Sequence, residues 1–136
     1  MRLASTLLAT ILLFPACHAS EPPASAPLTK IAVTDPRYEG FVFLVATIRR
    51  SGSDFVITND STQPWFDVAL VLTGGADEYW LQLAEVNPGQ TVTAAAAQFA
   101  TRDGVAFDAR RVMPRTLIVS AEIGEGGPTG AYAVRL

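Results

Sequence analysis

From about Leu28 onward, apolar side chains recur at every second position in short runs, and Gly, Pro, Asn and Asp clusters cut those runs roughly every ten residues. This pattern constrains the chain more than any other. A period of two places alternate residues on opposite faces of an extended strand, whereas a helix needs a period near 3.6. The spacing predicts about seven short strands. Phe41–Arg49 is nearly continuous in apolar character and reads as one central strand. Asp54–Asn59 puts Phe55 and Ile57 on one face, and Trp65–Leu72 puts Val68, Leu70 and Leu72 together. Glu78–Val86, Thr91–Ala95, Arg115–Ile123 and Ala131–Leu136 complete the set, with Leu117, Val119, Ala121 and Ile123 inward. The four consecutive alanines Ala94–Ala97 favour a single helical turn near Gln98. Thr101–Pro114 is a long connection rich in Asp and Arg, and Gly124–Gly130 is a flexible hairpin loop. Seven such strands around one core form an all-β, immunoglobulin-like antiparallel β-sandwich, here without the disulfide that many such domains carry.

The first residues read as an address and not as part of that sandwich. Arg2 supplies a positive start and Leu3–Phe14 an apolar stretch of 12 residues. A bilayer span needs roughly 20 apolar residues, so this stretch is an export signal. Two cleavage sites compete. Phe14-Pro15-Ala16-Cys17 resembles the lipobox of bacterial lipoproteins. The resemblance implies a signal peptide over 1–16 and a lipid on the Cys17 sulfur, which anchors the mature protein to a membrane. Alternatively Cys17-His18-Ala19 is a small-x-small site, cut after residue 19. His18 stands where the sorting rule of double-membraned bacteria would place Asp for inner-membrane retention. The resemblance therefore implies an outer-membrane lipoprotein facing the periplasm, and the second site implies a periplasmic or secreted protein. Residues 17–29 are rich in Pro, Ala and Ser and read as a disordered tether, with the sandwich domain over 30–136.

The inventory of side chains narrows the chemistry. The single His, His18, sits in the tether, so a globular Ser-His-Asp triad is excluded. Gly124-Glu125-Gly126-Gly127 lacks the Lys-Ser/Thr that a phosphate-cradling loop requires. A formal net charge of −3 argues against nucleic acid, which demands a basic surface. No cofactor and no metal site is expected. A calcium site through Asp103, the Val105 carbonyl and Asp108 would fall short of the oxygen count of that ion and would face Arg102, Arg110 and Arg111. Asp77-Glu78 and Asp103 with Asp108 are the nearest pairs of acids, and such residues ordinarily serve turns.

Two groups remain as candidate partner contacts. Arg110, Arg111 and Arg115 form a basic cluster that suits an anionic cell-envelope polymer or another envelope protein, since guanidinium forks bind carboxylates and phosphates. The alternative is that they pair locally with Asp103 and Asp108. Trp65 and Trp80 are the candidate aromatic contacts. Only one of Tyr79 and Trp80 can face the core of a regular strand, so the other needs cover from a partner, an arginine or a loop.

Phe55-Val56-Ile57-Thr58-Asn59-Asp60, followed by Trp65-Phe66-Asp67-Val68 and Leu70-Val71-Leu72, resembles small bacterial exported β-sandwich domains of the FxLYD kind. Asn87-Pro88-Gly89-Gln90-Thr91-Val92 and the Gln98-Phe99, Asp103-Gly104, Phe107 segment extend the likeness over roughly Asp54 to Glu125. The resemblance implies an immunoglobulin-like accessory domain of bacterial envelope proteins and brings no catalytic or ligand residues with it. With the side-chain inventory above, the expected role is a non-enzymatic interaction module, and the alternative is a ligand-binding or enzyme-modulating periplasmic lipoprotein with an aromatic-lined pocket between the sheets or beside Trp80.

Overall fold

The structure, a computed structural model, describes residues 25–136. The expected export signal, Cys17, His18 and the tether as far as residue 24 lie outside the described residues.

The protein is an all-β sandwich of two sheets. Its strands are β1 (Lys30–Ile31), β2 (Val42–Phe43), β3 (Ala46–Ser51), β4 (Asp54–Asn59), β5 (Trp65–Gly74), β6 (Asp77–Gln82), β7 (Thr91–Ala94), β8 (Thr116–Ile123) and β9 (Thr129–Arg135). One sheet runs β1-β9-β8-β5-β6 with β2 added beside β9, and the other runs β3-β4-β7. All pairings are antiparallel except that of β2 with β9. Between the sheets lie Leu44, Ile48, Phe55, Ile57, Trp65, Leu70, Leu72, Phe99, Leu117 and Val119, all buried. Phe55 and Phe99 meet edge-to-face at 6.0 Å, and Tyr79 and Phe107 do so at 5.1 Å.

The expected single strand Phe41–Arg49 is corrected. The chain breaks at Leu44–Val45 and crosses from one sheet to the other, so that β2 and β3 belong to different layers. Leu44 inserts into the core while Val45 is 57% exposed. A run that is apolar throughout suits such a crossing as well as it suits a central strand, because the residues meet both sheets in turn. β3 is an edge strand, not a central one. Residues 25–29 lie along it: Pro27 pairs with Arg49, and the Leu28 amide donates to the Ile48 carbonyl at 2.8 Å. This contact blunts an otherwise open edge.

A bulge between Phe66 and Ala69 lets Trp65 and Val68 both point inward although they are three positions apart. Asp67, at φ 47°, holds the bulge in the left-handed region that Asp tolerates better than most residues.

The six-stranded sheet is apolar on both faces. Val71, Ile118 and Ala133 point away from the main core yet are buried, under Ile31, Val33, Tyr38 and Trp80. The segment 32–41 supplies much of this cover. It contains a short 3-10 turn at Pro36–Tyr38, whose Arg37 amide donates to the Asp35 side chain.

Candidate functional site

At one pole of the sandwich the β5–β6 hairpin, the start of β8 and the end of β9 surround an open cleft of about 630 Å3. Its base is Gly74 and Gly75. A side chain at Gly74 has no room, because a Cβ there would lie 2.7 Å from the Met113 carbonyl oxygen and 3.0 Å from the Pro114 Cα. The long connection can thus pass directly over the hairpin. It brings Val112, Met113 and Pro114 to one wall, and Met113 is 84% exposed. Arg111 enters from the same connection, Arg115 from just ahead of β8, and Arg135 from the end of β9.

The arginines stand on fixed backbone. The Arg115 amide donates to the Thr73 carbonyl at 2.7 Å, and its own carbonyl accepts from the Leu136 amide at 2.9 Å. Arg135 faces Thr116 across the β8–β9 pair. Arg111 Nε lies 3.6 Å from the Asp108 carboxylate, with both side chains well exposed, a pair of little energetic weight. Among the described residues Arg115 and Arg135 form no ion pair. Asp77 is the one acid lining the cleft.

Of the basic residues singled out from the sequence, Arg111 and Arg115 meet here. Arg110 does not line the cleft. The pairing with Asp103 and Asp108 reduces to the Arg111 contact and to the Asp108 side chain accepting from the Arg110 amide at 2.9 Å. Arg135 and Met113 went unmarked in the sequence. Nothing local signals Arg135, because its place beside Arg115 depends on the β8–β9 register.

No family model, no curated protein and no solved structure matches this chain. The site therefore rests on its own geometry.

Trp80 lies on the outer face of β6, with its chain neighbour Tyr79 in the main core. The guanidinium groups of Arg102 and Arg37 sit 5.1 and 5.8 Å from its ring centre. A hollow of about 330 Å3 beside it is lined by Asp77, Glu78, Thr101, Arg102 and Asp103. Trp80 also pairs through its backbone with Ala100, which closes the β6 edge. Trp65 is a correction. It is completely buried between the sheets, so its ring packs the core and presents nothing to a partner. Its indole Nε1 has no hydrogen-bond partner.

Two of the acids are engaged locally. Glu78 accepts from Arg37, and Asp54 accepts from the Ala96 amide. Among the described residues no three His, Cys, Asp or Glu side chains converge as metal ligands would, and no helix is long and apolar enough to cross a membrane.

Proposed function

We propose that this protein is a non-enzymatic interaction module of a bacterial cell envelope, held at the periplasmic face of the outer membrane by a lipid on Cys17. The observation that carries the reading is the filled space between the sheets. Trp65, Phe55, Phe99 and the aliphatic side chains around them occupy it, and the hollows lie at the surface. A carrier of a small apolar ligand would keep that interior open. A sandwich whose interior is closed recognises through its loops, poles and edges instead.

The strand order supports an immunoglobulin-like assignment. Reading β3, β4 and β7 as strands A, B and E leaves β6-β5-β8-β9 as the C′-C-F-G sheet, the arrangement of that fold. The fold alone assigns no activity.

The test places a photo-crosslinking residue at the exposed positions Phe43, Val105 and Met113 of the full chain in intact cells. A crosslinked species of defined mass, lost from the membrane fraction in the Cys17→Ser variant, is the expected result. Absence of any crosslink at all three positions, or release of the wild type with the soluble fraction, contradicts the module and the anchor respectively.

A further inference from the structure

We infer that the polar cleft at Arg111, Arg115 and Arg135 binds a small anionic amphiphile, a ligand with a carboxylate or phosphate head and an apolar body. This deepens the proposed role as an interaction module and rests on it. Three arginines line the cleft with one acidic side chain, Asp77, and Asp108 stands 3.6 Å from Arg111, so Arg115 and Arg135 carry the cationic character of the cleft. Guanidinium groups stay charged at any ordinary pH and present forked donors that match carboxylate and phosphate oxygens. Arg115 and Arg135 have no ion-pair partner among the described residues, so those donors face solvent.

The apolar part of the lining gives the second half of the specificity. Val112, Met113 and Pro114 are apolar, and Met113 is 84% exposed beside the charged groups. An unbranched thioether adapts to irregular apolar partners, and covering it removes surface from water. A bare inorganic anion would use the arginines and leave this wall wet. A neutral amphiphile would cover the wall and leave the arginines unmatched. The cleft volume of about 630 Å3 falls within the usual range for small-molecule sites. Arg115 and Arg135 sit at strand ends, and the Gly74 contact fixes the connection that carries Arg111, so the cleft is built before any ligand arrives.

The experiment titrates the full chain carrying Cys17→Ser with four probes: octyl phosphate, octanoate, inorganic phosphate and octyl glucoside. Calorimetry gives affinity, and the methyl resonance of Met113 reports the wall. At least one of the two anionic amphiphiles is expected to bind saturably, more tightly than inorganic phosphate, and to shift Met113, while octyl glucoside does not bind. Arg115→Gln and Arg135→Gln are each expected to weaken it by roughly tenfold, the ratio of a single lost charge-assisted contact. Arg110→Gln, outside the cleft, leaves affinity within about twofold and controls for bulk charge. Equal binding of octyl glucoside, equal loss in the Arg110 variant, or no saturable binding of either anionic amphiphile overturns the site. If the titration fails while the envelope crosslink persists in the doubly substituted Arg115/Arg135 protein, the cleft is wrong and the module reading stands. The reverse pattern retains the cleft and removes the module.

Discussion

Nη1 of Arg37 donates to the Glu78 carboxylate at 2.9 Å, joining two residues 41 positions apart in the chain. The same guanidinium accepts cover duty over Trp80 and is itself gripped by Asp35. It pins the segment 32–41 onto the outer face of the six-stranded sheet, over Val71, Ile118 and Ala133. Both partners are more than a third exposed, so the ion pair alone contributes about 0.5–1 kcal/mol and less in salt. A double-mutant cycle with Arg37→Ala and Glu78→Ala is expected to give a coupling in that range. The larger consequence is local. Amides in 31–41 should exchange faster in either variant while those of β8 do not change. Uniform exchange across the domain would mean that Arg37 holds nothing down.

The same segment sets the pH response. Hydrogen bonds from the Arg37 side chain and amide, against a small opposing desolvation, hold the Asp35 carboxyl below its ordinary range. A carboxylate whose folded pKa is lowered stabilises the fold above its unfolded value, and that contribution is lost as pH falls below about 4. Burial raises the Tyr38 phenol above its ordinary value, outweighing the nearby Arg37 charge. Its contribution is therefore lost in the opposite direction, as pH rises beyond about 10. Tyr38→Phe is expected to flatten the alkaline limb of the stability curve, and Asp35→Asn the acid limb. An unchanged limb in either variant would contradict the corresponding expectation.

Asn59 is the one buried polar residue among those described, and its side chain is fully used. Its amide nitrogen donates to the Gln63 and Val86 carbonyls, both at 2.9 Å, and its oxygen accepts from the Ser61 amide and hydroxyl. The Asn59 backbone meets Gln90 and Gly89 as well, so one residue ties the β4–β5 loop to the Asn87–Gln90 turn. Asn59→Ala removes these side-chain bonds, although the Val86 carbonyl keeps the Trp65 amide and the Gln63 carbonyl the Ser61 hydroxyl, and should cost about 1–3 kcal/mol in urea unfolding. Asn59→Asp keeps the shape and the acceptor but turns a carboxylate toward two carbonyl oxygens, and it should cost at least as much. An aspartate variant within about 1 kcal/mol of wild type would show that the donor side of the network is idle.

The alternation that defined the strands found the face that each turns toward the main core. Leu117, Val119 and Ala121 on β8, and Val68, Leu70 and Leu72 on β5, all lie in the main core as the period of two requires. The pattern was silent about Val71 and Ile118, which point outward and are buried all the same, because their cover comes from a segment some 30 to 80 residues earlier. It misplaced Phe41–Arg49 for a related reason: an uninterrupted apolar run carries no phase, so a sheet crossing and a central strand look alike. The site was half legible. Arg111 and Arg115 are close in sequence, but Arg135 joins them only through strand register, and Trp65 looked available because a buried aromatic and a contact aromatic are the same letter.

Gly74 and Gly75 should respond to alanine in different ways, and the difference tests the wall of the cleft. At Gly75 (φ +73°) a methyl meets nothing within 4 Å, so Gly75→Ala costs only the left-handed backbone penalty of about 1–2 kcal/mol. At Gly74 the methyl would lie 2.7 Å from a backbone oxygen, which cannot rotate aside as a side chain can. The connection carrying Met113 and Pro114 must lift, at about 1–3 kcal/mol. Stability alone therefore separates the two variants poorly. The Met113 methyl resonance separates them well: it should shift in Gly74→Ala and stay in place in Gly75→Ala. If the two variants leave Met113 alike, the connection does not rest on the hairpin, and the arginine on that connection is not held where the cleft needs it.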